Sequence, residues 1–150
     1  MGGSCYDEWQ ETALEIMGVA RRSFADGDRF ASFWFDRKSS SDHMFVCAVR
    51  PTADEVDALD RLAADRHVGL TVVSVKYSEA QLLDFYERCS GHDLPSSCAS
   101  FGMDAMHNAL RLTLRTVDDE ALLFFRERIP ADALWVEIEP RAPRAFAATP

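Results

Sequence analysis

Several things are scarce or missing in this sequence, and each shortage excludes a class of protein. No run approaches the roughly 18 consecutive apolar residues that a spanning helix needs. Basic residues are outnumbered, 16 Lys and Arg against 25 Asp and Glu, for a net charge of −9 and a pI near 4.8. Such a surface repels a nucleic-acid backbone or an anionic membrane, so neither is expected as a partner, whereas a neutral or basic protein is. Four cysteines (Cys5, Cys47, Cys89, Cys98) are too few for a disulfide scaffold. The opening Met1-Gly2-Gly3-Ser4-Cys5 lacks the basic and apolar regions of a signal peptide, which makes the cytoplasm the default expectation. There is no Gly-rich phosphate loop, nucleophile elbow or metalloprotease helix, and no cofactor is implied.

What is present is a repeat. Ala31-Ser32-Phe33-Trp34-Phe35-Asp36 returns as Ala99-Ser100-Phe101-Gly102-Met103-Asp104, with four of six residues identical at an offset of 99 − 31 = 68. Downstream, Arg50-Pro51-Thr52-Ala53-Asp54-Glu55 lines up with Arg115-Thr116-Val117-Asp118-Asp119-Glu120 at an offset of 65. The second copy is therefore expected to lack three residues, most simply from the turn at Ser39-Ser40-Ser41.

Taken in order, residues 6–24 place Trp9, Ala13, Ile16, Ala20 and Phe24 at helical spacing, with Asp7 and Glu8 early and Arg21-Arg22 late, as a helix dipole favours. Gly27 is the expected left-handed terminator. The first unit, 30–77, reads as a hairpin of Phe30–Asp36 and Met44–Arg50, a helix opened by the capping box Thr52-x-x-Glu55, and a third strand over Leu70–Tyr77. Residues 78–97 supply a connecting helix, capped by Ser78-x-x-Gln81, and a polar linker. The second unit, 98–139, repeats the order. In Ala109–Arg115, Leu110, Leu112 and Leu114 alternate with Arg111, Thr113 and Arg115, and in Leu134–Glu139, Leu134, Val136 and Ile138 alternate with Trp135, Glu137 and Glu139. Residues 140–150 read as a Pro/Ala-rich tail. The expected class is α+β: two similar ββαβ lobes, each a small three-stranded sheet covered by a helix, plus the N-terminal helix.

On Ala31 to Asp36, Val72 to Ser78 with Leu82 and Leu83, and Ser100 to Leu114, the chain resembles the prodomains of alpha-lytic-type and streptogrisin-type secreted serine proteases, over about residues 30 to 139. The resemblance implies a chaperone- and inhibitor-like module without catalytic residues. It also implies a C-terminal lobe whose three-stranded sheet lies against a hairpin of the protease, and a tail leading into the active site. Carried over by position, the contact sheet comprises 101–103, 110–115 and 134–139. The family is secreted, in contrast with the cytoplasmic default.

Candidate chemistry divides along the same lines. Cys89-x-x-His92 with Cys98 is an incomplete zinc pattern, a Cys89–Cys98 disulfide would need an oxidising compartment, and separate thiols are the default. Cys47 reads as a buried hydrophobe and His67 as a helix-end residue; His43 and His107 read first as turn residues and second as a titrating or metal-binding pair, and Asp36 and Asp104 first as turn formers and second as acid/base groups. No metal site and no catalytic residue is assigned. The partner-binding candidates are Arg111, Thr113, Arg115, Trp135 and Glu137, on the solvent side of the second sheet. The leading expectation is a non-enzymatic protein-binding module with a protein partner, a serine protease being the one the resemblance implies. The runner-up is an enzyme or small-ligand binder with its site in the groove between the lobes. A homodimer through apolar sheet surface is a further expectation.

Overall fold

A computed structural model describes residues 5–26, 28–37 and 42–140. The expected terminator Gly27, the turn serines 39–41 and the tail from 141 onward lie outside the described residues, as do the side chains of residues 5–7. The chain is α+β, with the order α1 (Cys5–Ser23), β1 (Phe30–Asp36), β2 (His43–Val49), α2 (Ala53–Asp65), β3 (Gly69–Val75), α3 (Glu79–Ser90), β4 (Cys98–Asp104), β5 (Ala109–Leu114), α4 (Asp119–Arg126), a 3-10 turn (Ala131–Ala133) and β6 (Leu134–Ile138). It divides into two compact units within α3, Met1–Leu82 and Leu83–Pro150.

In the first unit β1 and β2 pair antiparallel and β3 joins β2 in parallel. Period-two alternation puts Met44, Val46 and Ala48 on one face. There they are buried with Ala13, Ile16, Ala20 and Phe24 of the first helix and its end, and with Leu59 and Ala63 of α2. The capping box is made in full: Thr52 Oγ1 accepts from Glu55 N–H at 3.2 Å, and Glu55 Oε1 accepts from Thr52 N–H at 2.9 Å. At the other end of α2, His67 adopts a left-handed φ of 59°, and Val68 N–H reaches back to Ala63 C=O at 2.9 Å. His67 is thus the turning residue of the helix stop, a role usually taken by glycine.

The second unit repeats this arrangement strand for strand: β4 antiparallel to β5, and β6 parallel to β5. Leu110, Leu112 and Leu114 are fully buried with Ala121, Phe125 and Ile129. Phe101 packs on Phe125 at 4.8 Å and stacks on Tyr86 of α3 at 5.4 Å. Of the adjacent pair Phe124 and Phe125, only the second is fully buried.

The register refines the repeat. Asp36 faces His43 and Asp104 faces Ala109, so β2 maps on β5 with an offset of 109 − 43 = 66. The helix caps Thr52 and Asp118 and the buried pairs Leu59/Phe125 and Ala63/Ile129 obey the same offset. The value of 65 suggested by the matching arginines is therefore corrected. The second hairpin connection, residues 105–108, is two residues shorter than residues 37–42. Each first strand also carries a bulge at the same place, between Phe30 and Ser32 and between Cys98 and Ser100.

Candidate functional site

The two sheets differ most on the face turned away from their strand-covering helices. In the first unit that face carries Trp34 stacked on Phe45 at 4.0 Å, His43 against Phe45, and the buried Cys47. His43 Nε2 lies 2.8 Å from Thr71 Oγ1. A Cβ on Gly69, the residue facing His43 in β3, would meet the imidazole at 2.6 Å, so this position holds a glycine for close approach.

In the second unit the corresponding face is polar. Gly102, Arg111 and Trp135 lie in one row across the three strands, and Ser100, Thr113 and Glu137 in the next. A Cβ on Gly102 would meet nothing within 4 Å, so the floor beside Arg111 is open. Around it runs a chain of contacts. Asp104 Oδ2 is 2.7 Å from His107 Nδ1 and 3.7 Å from Arg111 Nε. Arg111 Nη2 donates to Glu137 Oε1 at 2.8 Å, and Trp135 Nε1–H donates to the same oxygen at 3.1 Å. The circuit closes where the His107 imidazole stacks on the Trp135 indole at 3.7 Å.

Burial opposes the charge on Asp104, whose side chain is 10% exposed. Hydrogen bonds from the His107 ring and backbone, with the positive charge of Arg111, outweigh that and hold its carboxyl below the usual range. The hydrogen bond from Arg111, then that from Trp135, likewise lowers Glu137, and Glu137 in turn raises Arg111. Asp104 Oδ1 also accepts the His107 backbone N–H at 3.1 Å, which makes it the organiser of its own turn.

Of the five sequence candidates, Arg111, Arg115 and Trp135 are exposed, and Thr113 and Glu137 are half-buried. Four share the open face. Arg115 is committed to its own lobe, donating from Nη1 to Ser96 C=O at 2.8 Å and to Cys98 C=O at 3.0 Å. Asp104 and His107 belong to the site although the reading of the sequence favoured turn roles for both. The signal that could have found them is the spacing of three, which lets an Asp carboxylate reach both the ring and the backbone of a histidine across a tight turn.

Apolar exposure is concentrated in the same unit. Of the exposed large apolar residues among those described, only Leu14 lies before residue 83. Strand β6 is uncovered on both faces: Trp135 is 42% exposed on one, Val136 36% and Ile138 45% on the other. The cause is thin cover, since α4 has 8 residues where α2 has 13.

Other candidate chemistry finds structural employment. Cys47, Cys89 and Cys98 are free thiols, each pushed up by burial and so away from the nucleophilic thiolate. Among the described residues no group of three or more His, Cys, Asp or Glu is placed to hold a metal, and no helix is long and apolar enough to cross a membrane. A cleft of about 140 Å³ between Arg21, Phe30 and Glu79 is well below the ~300–1,000 Å³ of small-molecule sites. Arg21 is in any case paired with Glu79 at 2.7 Å and lies over the Phe30 ring. The chain matches no known family's sequence model and no curated protein.

Proposed function

We propose that the chain is a non-catalytic protein-binding module that works through its second sheet, in the manner of the protease prodomains it resembles. The observation that carries this reading is the outer strand β6, with exposed apolar side chains on one side and Trp135 on the other, at the edge of its sheet. Exposed apolar surface of this kind, with an aromatic anchor and a polar surround, is the usual composition of an interface core. The Asp104–Arg111–Glu137 circuit leaves those charges already satisfied, so docking over them strands no lone charge. The partner that suits the net charge of −9 is a protein with a neutral or basic edge strand, a secreted serine protease of the alpha-lytic or streptogrisin type being the first to try.

The test is light scattering after size-exclusion chromatography of the chain mixed with such a protease, followed by an inhibition assay. A stable complex with inhibition, weakened at least about tenfold by Trp135→Ala, is the expected result. No complex and no inhibition would overturn the protease reading.

A further inference from the structure

The free edge of β6 has a property that the docking reading does not require: it is complementary to itself. We infer that β6 pairs antiparallel with β6 of a second copy of this chain, about a two-fold axis through Val136, joining two three-stranded sheets into one.

Four edge strands bound the two sheets, β1 and β3 in the first unit, β4 and β6 in the second. Strands β1 and β4 each carry a bulge, a device that twists an edge away from further pairing. In β3 the apolar residues Leu70, Val72, Val73 and Val75 are half-buried, and the exposed positions include Thr71 and Ser74. Only β6 combines an unbulged edge with exposed apolar side chains.

The direction of its backbone groups follows from one bond. Glu139 N–H donates inward to Leu114 C=O at 2.7 Å. Because successive residues of a strand turn their N–H and C=O to opposite sides, those of Val136 and Ile138 point to the free edge, as does the C=O of Leu134. The Leu134 N–H is already given to Ala131 C=O. Pairing about Val136 then makes two bonds between the facing Val136 residues and one from each Ile138 N–H to the facing Leu134 C=O.

The side chains agree with this register. Val136 meets Val136, and Leu134 meets Ile138, on the face that continues the buried row of Leu110, Leu112 and Leu114. Trp135 meets Glu137 on the other face. Glu137 is balanced by Arg111 of its own chain, so the centre of the interface holds no unpaired charge. The net charge of −9 per chain opposes association at long range, and added salt relieves that repulsion. The inference does not depend on the protease reading, although both use this edge, so a partner and a second copy would compete for it.

Light scattering on the chain alone, from about 10 µM to about 1 mM, should show the mass rising from 16.8 kDa towards twice that value, and further at higher salt. Over the same series the backbone amides of Val136 and Ile138 should become protected from hydrogen exchange. Ile138→Lys, at an exposed position, sets a charge in the apolar row and should lower the association constant at least about tenfold. Val136→Pro removes an edge N–H that bonds nothing among the described residues and should do the same. If it fails to fold, Ile138→Lys decides. A mass of 16.8 kDa throughout, a dimer whose Val136 and Ile138 amides stay unprotected, or a dimer unaffected by Ile138→Lys would each overturn the inference. No partner protein is present in this experiment, so its failure leaves the protease assay untouched, and the reverse holds.

Discussion

The same junction is built twice in this chain with different chemistry. In the first unit Arg29, the residue before β1, forks onto Glu55, with Nη1 at 2.9 Å from Oε1, and Glu55 is also the far arm of the capping box of α2. In the second unit Ser97, at the matching place before β4, donates its hydroxyl to Asp118, the N-cap of α4, at 2.7 Å. Both ties anchor the first strand to the start of the covering helix. The backbone bond beside them is also repeated: Val49 N–H to Arg29 C=O at 2.8 Å, and Arg115 N–H to Ser97 C=O at 2.7 Å. The tie therefore belongs to the fold, and the residues that make it were free to change.

The covering helices show the complementary lesson. Where α2 is long and presents Leu59 and Ala63, the shorter α4 presents Phe125, and Ile129, three residues beyond its end, takes the second place. Larger side chains fill the core that fewer turns cover. What they leave open is the outer strand, and that opening is the interface candidate.

Breaking this symmetry should produce its largest effect at the buried ring. Phe125→Ala is expected to cost about 3–5 kcal/mol and Leu59→Ala about 2–5 kcal/mol, read by chemical denaturation with Trp135 and Trp34 fluorescence following their own units. A loss under about 1 kcal/mol at Phe125 would mean that α4 is not the principal cover of its sheet.

The next effect is electrostatic. The hydrogen bond from Arg29, helped by those from Thr52, holds Glu55 at about 2, against an ordinary value of 4.5. A depressed carboxylate stabilises the fold fully above the ordinary value, and that contribution is lost as pH falls from about 4.5 towards 2. Glu55→Gln should therefore destabilise the first unit by about 1–3 kcal/mol at pH 7 and flatten that part of its acid limb. An unchanged pH profile would show that the ion pair is not formed in solution.

A smaller loss, about 1 kcal/mol, is expected for Thr52→Ala, and one of similar size for Ser97→Ala, which removes a hydrogen bond to a charged group. Urea midpoints followed unit by unit would show whether each loss stays within its own half, as two separately built ties require. The smallest effect on stability belongs to the open face: Trp135→Ala should leave the unfolding midpoint within about 0.5 kcal/mol of the parent while reducing partner binding. A large drop in stability would instead make Trp135 a structural residue.

The α+β class and the two ββαβ lobes were legible because period-two and period-3.6 patterns are local, as were both capping boxes, Thr52 with Glu55 and Ser78 with Gln81. The offset of the second half was misread because two arginines, Arg50 and Arg115, are identical by residue and not by place. Arg50 stands just beyond β2 with a φ of 48°, and Arg115 follows β5 and bonds the backbone of its own lobe. The role of α1 was also only half visible. Its buried positions Ala13, Ile16 and Ala20 have the spacing of Leu82, Phe85 and Cys89 in α3, so each pair of strands is preceded by a helix with the same buried stripe. Among these three buried positions no residue is identical, so the sequence hides that correspondence.

By itself, the sequence determined the order of the main elements, the two capping boxes and the alternation of β5 and β6, because each depends on neighbours a few positions away; the N-cap role of Asp118 and the short span of α4 came only from the structure. Tertiary structure alone decided the register of the strands and the extra two residues of the first hairpin connection. It also joined Asp104, His107, Arg111, Trp135 and Glu137 into one circuit, since those contacts run across strands that the chain brings together only after folding. The exposure of β6 belongs to that second class as well. Whether a hydrophobic strand is covered depends on how far a neighbouring helix reaches, and α4 stops after 8 residues.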